Sequence, residues 1–322
     1  MKKIYFYSFL IMTGVWLSSC DADEVDCVDF GVTLSNDIQE IFAGEPVTFD
    51  FSGNPDYIVF YSGEDGSKYA NKDRLRVEIE SAELSYEILQ QYTRVPYRNK
   101  ETMSIFISES FNGDYSTIKE EDWQCLSGAN GQLHLKVPLC ADASGRETVA
   151  DGMDLTAYKD KKFYLAFHYN AIAASDADTY PRVDVTSLVV SKKLKDGSTS
   201  TMNDPKSQFG FNYAFEAITK KTNFSASNTT LLFQPTTDNL KSDVDVWAIS
   251  QAIDLTAVSP DMGTPIKSLN MKTQSYTYTY NEPGEYTATF VGSNSNAWNS
   301  KSMVKEIKIL VKENPVNRSV NR

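Results

Sequence analysis

The sequence predicts an almost entirely β-sheet protein made of sandwich domains. Three features indicate this class: short runs that alternate apolar and polar residues recur along the chain, turn-forming Gly, Pro, Asn and Asp bracket these runs, and helical periodicity is scarce. The length of 322 residues, with 41% hydrophobic residues, suits two or three domains that each bury a core. We therefore expect a modular all-β body.

Residues 1–19 are predicted to be a secretory signal peptide. Lys2 and Lys3 precede an apolar run over 4–16, which is too short for a stable membrane-spanning helix. The segment that follows, LSSC ending at Cys20, resembles a bacterial lipobox, in which the signal is cut before the cysteine. The resemblance implies that Cys20 is lipidated and tethers the protein to a membrane. The alternative is simple secretion with an incidental cysteine.

Residues 20–27 form an acidic linker with carboxylates at Asp21, Asp23, Glu24 and Asp26. Such a run is typical of a solvated linker, and it also resembles the acidic export signal of Bacteroidota-type surface lipoproteins. We therefore expect a lipid-anchored protein that is exposed at the cell surface on the outer membrane. Removal of the signal peptide takes the formal net charge from −12 to −14, which disfavours binding to nucleic acid and to anionic lipid.

Residues 28–80 are predicted to form an N-terminal Ig-like unit. Val47, Phe49 and Phe51 alternate with polar residues, NPDYIVFYSGEDG follows with turn residues at each end, and 74–79 alternate again. This pattern is typical of consecutive antiparallel strands.

Residues 81–220 are predicted to form a larger central sandwich. Strands are expected at 103–107 and 133–137. The run 161–171, KKFYLAFHYNA, carries bulky side chains on both faces, which fits a strand inside a two-sheet domain. Trp123 is expected in its core.

Residues 221–313 are predicted to form a C-terminal domain with Trp247 in its core. Tyr276, Tyr278 and Tyr280 repeat at every second position before a Glu-Pro-Gly turn, and 307–311 form the last strand. The polar tail, 314–322, is expected to be disordered.

Several segments resemble known families. FAGEPVTFDFSGNPDYIVFYSGEDG and YTYNEPGEYTATFVGSN resemble the two halves of a PKD-type Ig-like sandwich, while MSIFISESFNGDY and DLTAYKDKKFYLAFHY resemble a choice-of-anchor-J-like jelly roll. With the lipobox, the chain is similar to an uncharacterised family of Bacteroidota-type surface lipoproteins, a domain of unknown function, associated with glycan-utilisation systems. The resemblance implies Ig/PKD-like sandwiches flanking a central jelly-roll β-sandwich, and it implies no catalytic residue.

A catalytic function finds little support among the residues. The two histidines, His134 and His168, lie in strand-like runs away from any Ser or Cys nucleophile motif, so both are interpreted as structural. Phosphate-binding loops, HExxH and Gly-x-Ser-x-Gly are absent from the sequence. We predict a non-enzymatic protein without a cofactor. Glycoside hydrolysis is the less favoured alternative, because the 43 acidic residues leave many carboxylate pairs open.

A binding function needs an aromatic platform with polar groups beside it. Trp298 is the leading candidate, because SNSNAWNSKS is a polar loop between two strands with amide side chains around the ring. The alternative is that Trp298 folds back over the end of the sandwich. Two tyrosines are further candidates for the rim of a jelly-roll groove or for packing. The candidate glycan-binding residues are Trp298, Asn294, Asn296, Asn299, Tyr180 and Tyr115.

The cysteines and one acidic loop suggest covalent or metal cross-links. In an oxidising compartment Cys125 and Cys140 can form a disulfide, which leaves Cys27 over. Asp176 and Asp178 offer oxygens for a structural calcium ion of the kind that jelly rolls commonly hold.

We expect a surface glycan-binding accessory of a polysaccharide-utilisation system. The alternative is a non-catalytic adhesin or assembly component that binds protein, because sandwich edges and exposed loops serve either partner.

Overall fold

The computed structural model describes residues 24–35, 40–53, 55–175, 178–218, 221, 223–236 and 242–314. This part of the chain is nearly all β, so the predicted fold class is confirmed. Its helical segments are single 3-10 turns at Tyr69–Asn71, Val95–Tyr97, Glu120–Asp122 and Thr156–Tyr158. None of the described helical segments has the length and apolar composition needed to cross a bilayer. The predicted signal peptide, Cys20, Asp21, Asp23 and the tail after 314 lie outside the described residues.

The strands are numbered in chain order. The first four are β1 (Phe30–Leu34), β2 (Ile41–Phe42), β3 (Pro46–Gly53) and β4 (Tyr57–Tyr61). The next twelve are β5 (Ile79–Gln91), β6 (Met103–Ser108), β7 (Gln124–Cys125), β8 (Glu147–Asp154), β9 (Lys162–Ala171), β10 (Arg182–Leu194), β11 (Thr199–Met202), β12 (Asn212–Ala217), β13 (Phe224–Ala226), β14 (Leu231–Phe233), β15 (Val244–Ile249) and β16 (Ile253–Asp254). The last four are β17 (Thr264–Lys267), β18 (Ser275–Thr279), β19 (Gly284–Ser295) and β20 (Ser300–Lys312).

The chain divides into two compact units, one made of the residues up to Arg74 together with those from Ser259, the other of Leu75–Val258. The first unit is a sandwich of a three-stranded sheet, in the order β1-β3-β18, and a five-stranded sheet, in the order β17-β4-β19-β20-β2. Its core lies between the sheets and includes Phe49, Phe60 and Phe290, whose ring centroids are 4.9 to 5.9 Å apart.

The prediction of separate domains at 28–80 and 221–313 is wrong. β3 pairs with β18, where Phe49 lies opposite Tyr276, and β4 lies between β17 and β19. Each half contributes strands to both sheets, so the two halves share one core. The two segments that resemble halves of one sandwich therefore belong to one sandwich, with the second unit inserted between them.

The second unit contains two six-stranded sheets. One has the order β13-β14-β10-β5-β8 with β11 beside β10, and the other has the order β12-β15-β9-β6-β7 with β16 beside β9. Phe163, Leu165 and Phe167 of β9 point into the core between the sheets. The expected strands at 103–107 and 161–171 are present as β6 and β9.

Other predicted boundaries in this region are corrected. The run 133–137 is not a strand, since Leu135 forms only an isolated bridge with Ser127 and His134 adopts a φ of +50°. Of 74–79 only Ile79 lies in a strand, the first residue of β5. β13 to β16 belong to the second unit, so Trp247 lies on β15 opposite His168 of β9 rather than in a C-terminal domain.

Candidate functional site

The β19–β20 hairpin presents Trp298 at its tip. The Trp298 side chain is 74% exposed, so the alternative in which it folds back over the sandwich is wrong. The Asn296 Oδ1 atom accepts hydrogen bonds from the backbone N–H groups of Trp298 (2.9 Å) and Asn299 (2.8 Å). This turn fixes the backbone from which the indole projects into solvent.

Of the other candidate glycan-binding residues, Asn296 and Asn299 share the turn with Trp298, whereas the side chains of Asn294, Tyr180 and Tyr115 are engaged in internal contacts. Asn294 is only 8% exposed; its Oδ1 atom accepts from the Asp56 N–H (2.9 Å) and its Nδ2 atom donates to the Asp26 carbonyl (3.3 Å). Tyr180 is buried and its hydroxyl donates to the Ser242 carbonyl. Tyr115 is half-buried in an aromatic cluster and donates to the Ser250 carbonyl (3.2 Å). These side chains are used for packing.

The predicted disulfide is absent, because Cys125 and Cys140 are free thiols, as is exposed Cys27. Cys140 is buried behind β5, with its Sγ atom 3.9 Å from the Gln90 carbonyl oxygen. Burial raises the pKa of the Cys140 thiol, so little thiolate forms there near neutral pH.

The predicted calcium loop lies partly outside the described residues, which do not include Asp176. Asp178 is exposed and forms an ion pair with Arg94 (2.9 Å). Within the described ranges, no group of three or more His, Cys, Asp or Glu side chains is arranged to hold a metal ion.

His168 belongs to a polar cluster on the face of β9 and β15 that points away from the core between the sheets. Its ring stacks on Trp247 with centroids 4.0 Å apart, and its Nε2 atom lies 2.8 Å from the Asp245 Oδ1 atom. The other Asp245 oxygen accepts from the Asn170 Nδ2 atom (3.1 Å). The carboxylate thus joins two neighbouring strands. The interpretation of His168 as a structural residue agrees with these contacts.

A pocket with a cavity volume of 270 Å³ opens in the first unit beside the turn that follows β4. It combines two carboxylates, several hydroxyl groups, aromatic rings and one exposed thioether. The residues that matter for its chemistry are Glu64, Asp65, Ser67, Met262, Thr264 and Tyr278. They come from both halves of the split sandwich.

Local hydrogen bonds hold the turn over 62–68 in place. The Ser67 Oγ atom accepts from the Ser62 N–H (3.1 Å), and the Asp261 Oδ2 atom accepts from the Lys68 N–H (2.8 Å). The buried Tyr280 hydroxyl donates to the Ser62 carbonyl (2.9 Å). Gly63 and Gly66 have φ values of +88° and +82°, which suit glycine. The pocket wall is therefore pre-formed.

The carboxylates of Glu64 and Asp65 give the pocket a negative charge. The Tyr278 hydroxyl donates a hydrogen bond to the Glu64 carboxylate. Burial, followed by this neighbouring carboxylate, raises the pKa of Tyr278, so the phenol stays protonated. Asp65 is exposed and pairs with Lys68. The site thus offers carboxylate and hydroxyl oxygens beside aromatic rings, a set that can accept hydrogen bonds from hydroxyl or amine groups of a ligand.

The sequence patterns did not reveal this pocket. SGEDGS reads locally as a turn and Tyr278 as one position on a strand face. The one local feature that indicates a site is an acidic turn, in which Gly63 and Gly66 flank Glu64 and Asp65. What brings it to Tyr278 is the pairing of β3 with β18, which local periodicity does not specify.

Comparison of the chain with models of known protein families gives one match. A family model described as a domain of unknown function, DUF5017, matches residues 19–211. The match includes Glu64 and Asp65 of the pocket, while Met262, Thr264, Tyr278 and Trp298 follow it. Comparison with curated proteins gave no match.

Proposed function

We propose that this chain, which belongs to the DUF5017 family, is a lipid-anchored protein of the outer-membrane surface that binds glycan without cleaving it. The lipobox-like Cys20 and the acidic run after it support this location. The resemblance to Bacteroidota-type surface lipoproteins, with a PKD-like first unit and a jelly-roll second unit, supports a role beside glycan-utilisation machinery. The observation that carries the binding proposal is the pocket of Glu64, Asp65 and Tyr278.

The size and chemistry of the pocket favour one sugar unit. A volume of 270 Å³ lies just below the roughly 300–1,000 Å³ of ordinary ligand pockets. Ionised carboxylates only accept hydrogen bonds, and sugar hydroxyls donate them. The part of Tyr278 that lines the pocket offers an apolar contact to sugar C–H groups. Because the site is acidic, neutral or amino sugars fit it and uronic or sulfated sugars are repelled.

The second candidate function is binding to a protein partner. Glu64 and Asp65 also suit the Lys or Arg side chain of another protein, and exposed Met262 provides an adaptable apolar contact. This would make the chain an adhesin or an assembly component.

A glycan array with the full mature protein tests the proposal. We expect neutral or amino saccharides to bind and Glu64→Gln to weaken that binding about tenfold, because a hydrogen bond to a charged group contributes about 1.5–3 kcal/mol. The amide of the substituted side chain retains an acceptor for the Tyr278 hydroxyl, so the turn should persist. The matched control is Glu306→Gln, an exposed carboxylate on β20, which should leave affinity unchanged.

Three results would contradict the proposal. Absence of binding to every saccharide on the array would favour the protein-binding function. Equal affinity of Glu64→Gln and Glu306→Gln would show that the saccharide binds at a different site. Release of new reducing ends from a bound glycan would identify a hydrolase instead.

A further inference from the structure

The tip of the β19–β20 hairpin lies at the end of the first unit where the N-terminal segment enters it. The Asn294 side chain donates to the Asp26 carbonyl, and Lys301, paired with Asn294 across the hairpin, has its Nζ atom 4.0 Å from the Cys27 Sγ atom. Phe30 of β1 lies directly against Gly292. The N-terminal segment therefore enters the sandwich at the same end as the hairpin tip.

The number of residues between Cys20 and this end limits how far a lipid on Cys20 can lie from it. Six peptide units connect Cys20 to Asp26, and an extended chain covers at most about 3.3–3.6 Å per residue, so the tether is at most about 20 Å long. From Asn294 the hairpin runs on to its tip at 296–299. Lipidation would therefore hold the tip close to the membrane surface.

The chemistry of the tip suits the membrane interface. Residues 293–300, SNSNAWNS, carry no ionisable side chain, and residues 295–300 are exposed. Indole combines an apolar body with one polar N–H group, which is why tryptophan is enriched at the headgroup level. Asp26 and Lys301 are both exposed at this end, so their opposite charges offset each other and the end suits zwitterionic lipid headgroups.

We propose that Trp298 inserts into the headgroup region of the membrane that carries the protein, as a second contact beside the lipid anchor. This inference rests on the lipidation of Cys20 that is part of the proposed function. A single indole binds a bilayer weakly, but a short tether makes its insertion effectively intramolecular. Trp298 then orients the first unit on the membrane, a role different from the glycan stacking that its sequence context predicts.

In this orientation the pocket lies at the end of the first unit that is far from the membrane. β4 pairs Tyr57 with Ser293 near the tip and Tyr61 with Thr289 further away. The pocket turn follows Tyr61, and its Gly63 lies against Thr287. Thr287 and Ser295 are eight residues apart on β19, about 26 Å at a strand rise of about 3.3 Å per residue. The membrane contact and the ligand pocket thus occupy opposite ends of the unit.

Quenching by brominated lipids tests the proposal with the acylated full-length mature protein. It is reconstituted into phosphatidylcholine–phosphatidylethanolamine vesicles whose acyl chains are dibrominated close to the headgroup, and flotation with the vesicles is measured first. Of the tryptophans after Cys20, Trp123 and Trp247 are buried at 8% and 2% exposure, so the quenched emission should come from Trp298. We expect Trp298→Ala to float equally but to lose the quenched component. The matched control adds Leu310→Trp, an exposed position at the far end of β20, to Trp298→Ala and should show no quenching.

The outcomes separate the two proposals. If the wild-type protein floats no better than Cys20→Ala, lipid anchoring fails and the membrane contact fails with it. If the protein floats but Trp298 emission is untouched by brominated lipid and stays open to acrylamide, the membrane contact alone is overturned. Protection of Trp298 by added saccharide in the vesicle-bound protein would assign the ring to glycan instead.

Discussion

At the residue scale, exposure separates the tryptophans into two kinds. Trp247 packs against His168, Phe106 and Trp123, whereas the Trp298 ring is open to solvent. We expect Trp247→Ala to lower the free energy of unfolding by about 3–5 kcal/mol, because truncation of a buried aromatic leaves a cavity. Trp298→Ala should change it by less than about 0.5 kcal/mol. Urea unfolding measures both, and similar losses for the two variants would contradict the exposed position of Trp298.

At the element scale, the turn over 62–68 decides whether the pocket exists. A Cβ atom at Gly63 would lie 2.7 Å from the Thr287 nitrogen, whereas one at Gly66 would meet nothing within 4 Å. Both glycines have positive φ, so alanine costs about 1–2 kcal/mol at either position. Gly63→Ala must also displace β19. We expect it to lower the melting temperature and saccharide affinity more than Gly66→Ala, as calorimetry and titration can show. Equal effects would mean that the turn moves freely against β19.

At the scale of the whole molecule, the insertion makes the first unit depend on both ends of the chain. A chain that stops after Val258 keeps every strand of the second unit but loses β17 to β20. The Phe49 and Phe60 rings then lose Phe290 and their covering strands. We expect limited proteolysis of this truncated chain to digest the residues before 75 and leave a stable fragment of about 75–258. Protection of 28–74 would show that the N-terminal half folds alone, as its sequence pattern predicts.

The sequence by itself determined the all-β class, several strands and the burial of Trp247 on β15, because side chains in a strand alternate between two faces and bury their apolar set. Trp123 is buried as expected, but it lies just before β7 rather than within a strand. It did not determine the domain boundaries, since periodicity shows which face of a strand is buried but not which distant strand covers it. Only the tertiary structure decided that Phe49 pairs across to Tyr276, that Asn294 is buried against Asp26, and that Glu64 meets Tyr278. Each contact joins residues from opposite ends of the chain, and such contacts depend on long-range packing that no local pattern contains.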